Sequence, residues 1–153
     1  AVLVAALCVS GHVFSAFGGK LAASVIAIAQ TKAGLTFGDA FVRGILCNFL
    51  VCIAVWMANA ARTVGGKIAA VFFPIMAFVV AGFEHSIANM YYLAAGLFTA
   101  GQTGAAAEGL TWGRALIGNL LPVTLGNLVG GGLLVGVSAW YLYLKKGRNS
   151  VNS

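Results

Sequence analysis

The stretch AGFEHSIANMYY, residues 81–92, decides the fold because it places ionisable groups inside an otherwise apolar passage. Glu84 and His85 are adjacent in this stretch. The apolar run Ile68–Phe83 leads into the pair, and a second run, Ile87–Phe98, follows it. Each run is short for a membrane crossing, which takes about 20 helical residues. The pattern predicts one discontinuous membrane helix, whose break lies at the polar pair and whose second half begins at His85 or the next residue.

The composition excludes an ordinary soluble domain. Of the 153 residues, 61% are hydrophobic and only 8% are charged, whereas soluble domains carry about 25% charged residues. So little charge could not cover the surface of a water-soluble fold. We therefore predict an all-α integral membrane protein that lies in a lipid bilayer. The 21 glycines fit this class, because helices in lipid favour small residues at their contacts.

The net charge of +6 does not indicate a nucleic-acid partner, because the basic residues are spread among loops and the C-terminal end without forming a basic stripe. The three cysteines, Cys8, Cys47 and Cys52, lie in apolar surroundings and have no metal-ligand spacing. We interpret them as small buried hydrophobic residues. The sequence predicts neither a metal nor another cofactor.

Apolar runs and turn signals divide the chain into one membrane domain with six segments. Thr36 and Asp39 have the spacing of a capping box and predict a helix start. The chain begins inside a hydrophobic run without a signal-peptide pattern, so we expect it to start partway through a span. The predicted segments are the end of one span (1–17), an outer connection that holds a short helix at 21–30 (18–38), a full span (39–60), a broken span (67–98), a last span (114–145) and a tail (146–153). Two loops are predicted between the later spans, at 61–67 and 99–114.

The last predicted span, Ala115–Leu144, has no charge and exceeds the length that a bilayer core requires. It must tilt, extend beyond the bilayer core or bend, and Pro122 and the glycines mark the places where a bend is expected. Two glycine pairs with a spacing that permits close helix contact lie in the same span: Gly126 with Gly130, and Gly132 with Gly136.

The basic residues also predict the orientation of this multi-pass chain. Arg62 and Lys67 lie in the loop after the full span, and Lys145, Lys146 and Arg148 lie at the C-terminus. Two crossings separate the groups, so they share one side of the membrane, and no acidic residue accompanies them. The positive-inside rule therefore predicts that this loop and the C-terminus are cytoplasmic.

An ionisable residue inside a membrane is a functional candidate. The amides and the dipole at the start of the second half-helix favour an anion. His85 could donate a hydrogen bond to that anion or pass a proton to it. Glu84, if charged, is a poor anion ligand, and we expect it to brace the broken backbone or to pair with a donor. The alternative is a purely structural network that holds a kink.

Three asparagines in the apolar spans also need hydrogen-bond partners. Asn48 and Asn127 could join helices, or they could bond the backbone exposed at the broken helix, and the sequence leaves both readings open. Asn119 is interpreted as an ordinary helix contact or a vestibule surface residue. Enzyme signals are absent: Ser86 and His85 are neighbours on a helix and do not face each other, and no phosphate loop or nucleophile elbow occurs. No catalytic residue is predicted.

Three strings, GILCNFLVCIAVWMA, PIMAFVVAGFEHSIANMYY and NLLPVTLGNLVGGGLLVG, resemble in this order the formate/nitrite transporter family of bacterial and archaeal membrane channels. The resemblance implies an aquaporin-like protein of the prokaryotic inner membrane, built from two inverted three-span repeats and assembled as a homopentamer. This chain would supply the end of the third span and the whole second repeat, whose fifth helix is broken. The implied substrates are formate, nitrite and hydrosulfide, with acetate or lactate in some members.

The resemblance also assigns roles to single residues. His85 matches the central pore histidine that binds or protonates the anion, and Val51 and Phe78 match apolar residues at the pore constrictions. Lys32 matches a basic residue at the outer vestibule, where it would attract anions. The polar groups that brace the broken helices are matched by Glu84, Asn89, Asn48 and Asn127.

The family's other broken helix, with a threonine that faces the histidine, belongs to the first repeat and is not in this sequence. Its absence alone favours a competing class of function, a non-conducting structural or regulatory membrane subunit. An aquaporin-type pore for neutral solutes is a third possibility. The motifs do not discriminate formate from nitrite, or channel flux from proton symport.

Overall fold

In the computed structural model, the described residues are 1–145, and they form helices without any strand. The prediction of an all-α fold is confirmed. The predicted tail, 146–153, lies outside the described residues, as do its basic residues Lys146 and Arg148. The helices in chain order are α1 (Val2–Ser10), α2 (Lys20–Ala33), α3 (Phe37–Ala60), α4 (Val64–Val80), α5 (Ser86–Thr103) and α6, which runs from Arg114–Leu120 through Leu121–Asn127 and Leu128–Val137 to Trp140–Lys145. Two short 3₁₀ turns, Val13–Ser15 and Phe17–Gly19, connect α1 to α2.

The chain forms two compact units, and the first contains Ala1–Ala40 and His85–Val123. In this unit α1 and α2 both pack on α5. The contact between α2 and α5 is close, because a Cβ atom on Gly96 would collide with the side chain of Ala29. Its buried core consists mainly of small residues, with a few larger ones: Ala5, Val9, Phe14, Ala22, Ala94 and Ala95 in one cluster, and Ala29, Ala33, Leu93, Leu110 and Ala115 in the other.

Among the described residues, the second unit contains Phe41–Glu84 and residues 124–145. Here α6 packs on α3 through glycines: a Cβ on Gly126 would collide with the carbonyl oxygen of Phe41, and one on Gly130 with that of Ile45. The first predicted glycine pair therefore makes a backbone-to-backbone helix contact. The second pair, Gly132 and Gly136, is exposed, and a Cβ there would meet only atoms of α6 itself.

Hydrogen-bonding caps fix the starts of α3 and α4. Before α3, the Thr36 hydroxyl oxygen accepts a hydrogen bond from the Asp39 amide at 3.2 Å, and the hydroxyl donates a hydrogen bond to the Asp39 carboxylate at 2.7 Å. The helix start that the spacing of these two residues predicts is therefore present. The Thr63 hydroxyl accepts from the Gly66 amide at 3.0 Å, so that α4 begins at Val64. The predicted loop 61–67 is thus too long, because its last residues form the first turn of α4.

The end of α5 also differs from the sequence prediction. The helix continues to Thr103, five residues into the predicted loop 99–114, and it stops at Gly104, whose φ of 66° is left-handed. Glycine adopts this conformation without steric cost, so it ends the helix at this point, whereas the glycine- and alanine-rich composition of residues 99–114 predicts an earlier end.

The last helix accommodates Pro122 without an interruption. Just before the proline, the Leu121 amide donates to the carbonyl of Leu116, five residues back, which is the wider spacing of a π-helical turn. Pro122 has no amide hydrogen to donate and its ring is fully buried. The hydrogen bond that Pro122 cannot donate is therefore absent at a turn that already departs from α-helical hydrogen bonding, and the helix continues past the proline.

Two helices, Phe37–Ala60 with 24 residues and Arg114–Tyr143 with 30, are long and apolar enough to cross a membrane, and the shorter α4 is apolar as well. In α3 only 22% of the most apolar stretch is buried within the chain, so this helix is unlike the core helix of a soluble protein. Large apolar side chains also face outward elsewhere, for example Phe17, Val80 and Ile117. These features fit an integral membrane protein.

Candidate functional site

The break in the predicted fifth span begins where α4 ends. The Phe83 amide donates to the Phe78 carbonyl at 2.9 Å, and the Gly82 amide donates to the Val79 carbonyl at 3.2 Å. Together with the left-handed φ of 67° at Gly82, these bonds form a Schellman motif. Residues 81–85 are not helical, so the break predicted from the polar pair is present.

Arg43 of α3 contacts the backbone at this break twice. Its guanidinium Nη1 lies 3.5 Å from the carbonyl oxygen of Gly82, and its own carbonyl accepts from the Glu84 amide at 3.4 Å. Both distances are long, so each contact is weak. Sequence reasoning did not include Arg43 among the site residues, although a basic residue two turns into an apolar span was a signal.

Asn127 provides the shorter contacts to the break. Its side-chain Nδ2 donates to the carbonyl of Glu84 at 3.0 Å and to that of Gly44 at 2.8 Å, and the residue is buried. Asn48 makes a different contact, since its Nδ2 donates to the backbone carbonyl of Asn127 at 2.6 Å and joins α3 to α6. The sequence left two roles open for these amides, a bond to the backbone of the break or a contact between helices. Asn127 bonds the backbone of the break, and Asn48 makes a contact between helices.

Glu84 is buried, with 3% of its surface exposed. Its backbone amide and carbonyl are held from two other helices, by the Arg43 carbonyl and by the Asn127 side chain respectively. These contacts lie in the second unit, and they satisfy the backbone amide and carbonyl of Glu84, as a non-helical segment in a membrane requires.

His85 is the N-cap residue of α5 and belongs to the first unit. Its ring Nδ1 accepts from the Ile87 amide at 3.2 Å, and its carbonyl accepts from the Asn89 amide at 2.8 Å. An Nδ1 that accepts a hydrogen bond carries no proton, so the neutral ring has its proton on Nε2. The half-helix therefore starts at the residue predicted from sequence, and its first turn sets the tautomer of the histidine.

Two buried amides connect the first turn of α5 with the end of α2. The Asn89 Nδ2 donates to the Asn119 Oδ1 at 2.8 Å, and the Asn119 Nδ2 donates to the Lys32 carbonyl at 2.9 Å. Both asparagines are fully buried. The interpretation of Asn119 as a vestibule surface residue is wrong for this reason, and its other interpretation, as a contact between helices, agrees with these bonds.

Lys32 is half-buried in the last turn of α2, and its Nζ lies 5.6 Å from the centre of the Tyr92 ring. This geometry is that of a cation–π contact. The ammonium of Lys32 and its carbonyl are thus both held by partners outside α2. Tyr92 was not among the residues singled out from sequence.

Val51 and Phe78, the two predicted constriction residues, are half-buried in the second unit. Val51 lies one turn after Asn48 on α3, and the two residues share a helix face. Phe78 is in the last turns of α4, where its carbonyl closes the Schellman motif. Among residues 1–145, no three His, Cys, Asp or Glu side chains lie close enough to hold a metal ion, and Cys8, Cys47 and Cys52 are free thiols.

A family model described as "Formate/nitrite transporter" matches residues 1–141. The chain belongs to the formate/nitrite transporter family. This finding confirms the resemblance carried by the three sequence strings, and the family consists of transporters and channels. The chain is similar to a probable formate transporter of Methanothermobacter thermautotrophicus, with 46% identity over 131 residues that cover 86% of this chain and 44% of that protein.

Similarity extends to the formate channel FocA of Escherichia coli (strain K12), at 39% identity over 150 residues, with 90% of this chain and 52% of that protein covered. A solved structure, a pentameric formate channel with formate bound, superposes with a TM-score of 0.83 at 37% identity, covering 94% of this chain and 60% of that one. The aquaporin-like fold class is consistent with this superposition. The chain spans about half the length of the relatives it matches.

Proposed function

We propose that this chain forms one part of a membrane channel or transporter for small monovalent anions, namely formate, nitrite or hydrosulfide. In this proposal the complete protein is a homopentamer of the prokaryotic inner membrane. Membership of the formate/nitrite transporter family supports it, as do relatives that are named for formate transport and a structural neighbour that is a pentameric formate channel.

The observation that carries the proposal is the position of His85, which is the last residue of the non-helical segment and the N-cap of α5. With Nδ1 bonded to the Ile87 amide, the neutral imidazole carries its proton on Nε2 and can donate it in a hydrogen bond. The N-terminal dipole of an 18-residue helix adds a favourable field for negative charge. A small anion is the ligand that suits both features.

The proposed path begins at the outer vestibule, where the positive charge of Lys32 raises the local concentration of anions. Apolar side chains at Val51 and Phe78 then remove water and reject hydrated cations. At the centre the imidazole of His85 donates a hydrogen bond or a proton to the anion. Protonation makes a weak-acid anion neutral, which removes most of the cost of passing an apolar constriction.

The supporting residues hold this path open in the proposal. Asn127 and Glu84 brace the break, with Asn48 attached to Asn127, and Asn89 braces the first turn of α5. The amides of Asn127 and Asn48 satisfy backbone carbonyls that lipid could not satisfy, and Asn89 bonds the buried side chain of Asn119.

For the orientation, we propose that the segment with Arg62 and Lys67 and the C-terminus face the cytoplasm. Both carry basic residues without acidic ones, and the positive-inside rule favours this side for them. The orientation is tested with single cysteines placed at Arg62 and at Glu108, the second of which we propose to face the other side. Their accessibility to an impermeant thiol reagent is measured in intact cells.

Flux measurements test the proposed function. The complete protein is reconstituted into liposomes, and uptake of formate, nitrite, hydrosulfide and glycerol is compared with protein-free liposomes and with His85→Ala. We expect anion uptake well above the protein-free rate, with a large loss in His85→Ala. Anion uptake equal to the protein-free rate contradicts the proposal and favours a structural subunit. Glycerol uptake without anion uptake favours an aquaporin-type pore.

A further inference from the structure

We propose that Asn119 is a positioning residue that links Lys32 to α5, the helix whose N-cap is His85, and that Tyr92 holds the ammonium of Lys32 in the same arrangement. The inference rests on the proposed function, since it concerns how the cation that attracts anions is kept in place.

The side-chain amide of Asn119 is fixed at both ends. Its Nδ2 donates to the Lys32 carbonyl at 2.9 Å, and its Oδ1 accepts from the Asn89 Nδ2 at 2.8 Å. Asn119 and Asn89 are 0% exposed, so water cannot replace either bond. A buried amide whose nitrogen donates and whose oxygen accepts is held in one orientation. The Asn119 amide therefore fixes the position of the Lys32 backbone relative to α5.

The end of α2 needs such a partner. Lys32 is the second-last residue of this helix, and the last four carbonyls of a helix have no partner within it. The Leu35 amide reaches the Lys32 carbonyl at only 3.4 Å, whereas the Asn119 donor is at 2.9 Å. The bond from Asn119 to the Lys32 carbonyl is thus shorter than the bond from the Leu35 amide.

The second attachment involves the side chain. The Nζ of Lys32 lies 5.6 Å from the centre of the Tyr92 ring. Tyr92 follows Asn89 by three residues on α5, which puts both on one helix face. The ammonium of Lys32 therefore contacts α5 directly, and its carbonyl is linked to α5 through Asn119 of α6 and Asn89. The N-cap of α5 is His85.

This arrangement has a consequence for anion capture. A free lysine side chain distributes its charge over many rotamers. An ammonium held against one ring keeps its charge in one place, so it attracts anions toward a fixed point. Salt screens this attraction, so anion capture should weaken as the ionic strength rises. Asn119 contacts no anion in this scheme and acts only through Lys32.

A double-mutant cycle on formate uptake tests the inference in the complete protein in liposomes. Initial rates are measured against formate concentration at low and high ionic strength for wild type, Asn119→Leu, Tyr92→Leu and Tyr92→Phe, each with Lys32 or Lys32→Gln. We expect Tyr92→Leu to raise the half-saturating formate concentration by about two- to fivefold, as a lost cation–π contact at a partly exposed site predicts. Asn119→Leu should do the same, and both should weaken the salt dependence without lowering the maximal rate.

Two controls separate positioning from general structure. Tyr92→Phe keeps the aromatic ring and should match wild type, and neither leucine variant should have a further effect once Lys32 is Gln. If Asn119→Leu does not fold, the effect of Tyr92→Leu alone tests whether the position of the Lys32 ammonium matters. Tyr92 is 40% exposed, so its replacement removes no buried core residue. Equal effects with Lys32 and with Gln at that position overturn the inference, as does a lower maximal rate at an unchanged half-saturating concentration. A wild type that takes up no formate overturns the proposed function as well.

Discussion

The side-chain amide of Asn127 donates a hydrogen bond to the backbone carbonyl of Glu84, with an N–O distance of 3.0 Å. Glu84 is the residue before His85, so this bond holds the break in the fifth span next to the residue that we propose contacts the anion. The same nitrogen donates to the carbonyl of Gly44 at 2.8 Å. One buried amide thus joins the break to α3, in a region where lipid offers no hydrogen-bond partner.

Replacing Asn127 by Asp should destabilise the protein. Aspartate has the same size but no amide hydrogens, so the carbonyls of Glu84 and Gly44 both lose a donor in a buried place. We expect a loss of about 2–4 kcal/mol, because each unsatisfied buried group costs about 1–3 kcal/mol. Unfolding of the purified protein in detergent measures the loss. Asn59→Asp, on an exposed asparagine near the end of α3, is the control and should change little.

His85 has two separable roles, as a helix cap through Nδ1 and as a proposed anion contact through Nε2. Asparagine keeps a short acceptor that can cap the helix but has no group at the Nε2 position, whereas glutamine keeps a more distant amide donor and caps poorly. We expect His85→Asn to retain stability and to lose anion flux. His85→Gln should lose about 0.5–2 kcal/mol of stability and should retain more flux than His85→Asn.

Thermal unfolding and liposome flux, measured on the same preparations, distinguish these roles. Equal stability of the two variants would show that the bond from the Ile87 amide contributes nothing. Wild-type anion flux in His85→Asn would remove His85 from the transport path.

The two glycine pairs of α6 should respond differently to alanine. At Gly126 and Gly130 an added methyl group collides with backbone atoms of α3, which cannot move aside without separating the helices. We expect each of these alanine variants to be unstable or not to fold, as judged by yield and thermal unfolding in detergent. Gly132→Ala and Gly136→Ala are matched controls on the same helix. They should be neutral or stabilising by up to about 1 kcal/mol, the difference in helix propensity. Similar losses at all four positions would contradict the observed packing of α6 on α3.

Gly82→Ala should destabilise the end of α4. Its φ of 67° is left-handed, which costs an L-residue about 1–2 kcal/mol. Gly82→Asn should cost less, because asparagine tolerates this conformation better than alanine. Gly101→Ala is the control, since Gly101 is exposed within α5 with open space around it and should tolerate or favour alanine. Thermal unfolding of the purified variants gives their order of stability. If Gly82→Ala is as stable as the wild type, the Schellman motif does not contribute to stability.

Much of the candidate site could be predicted because its signals are local. The polar pair between two short apolar runs predicted the break, and α5 begins at Ser86 as expected. Thr36 and Asp39 predicted their cap for the same reason, since both partners lie within one turn of helix. The apolar run predicts the end of this helix at Phe83, three residues after the observed end of α4 at Val80, because the run continues through the glycine that ends the helix.

The sequence by itself determined the class of this protein, its helices and the position of the break, because hydrophobic length, charge and capping chemistry act between residues that are close along the chain. Only the tertiary structure decided which carbonyl each buried asparagine bonds, that Arg43 contacts the break, and which glycine pair touches a neighbouring helix. The physical reason is that these contacts join residues 30 or more positions apart, such as Asn89 with Asn119 and Arg43 with Gly82. The sequence does not show which face of an apolar helix packs against a neighbour. The packing of the helices therefore determines whether an asparagine or a glycine lies at a contact.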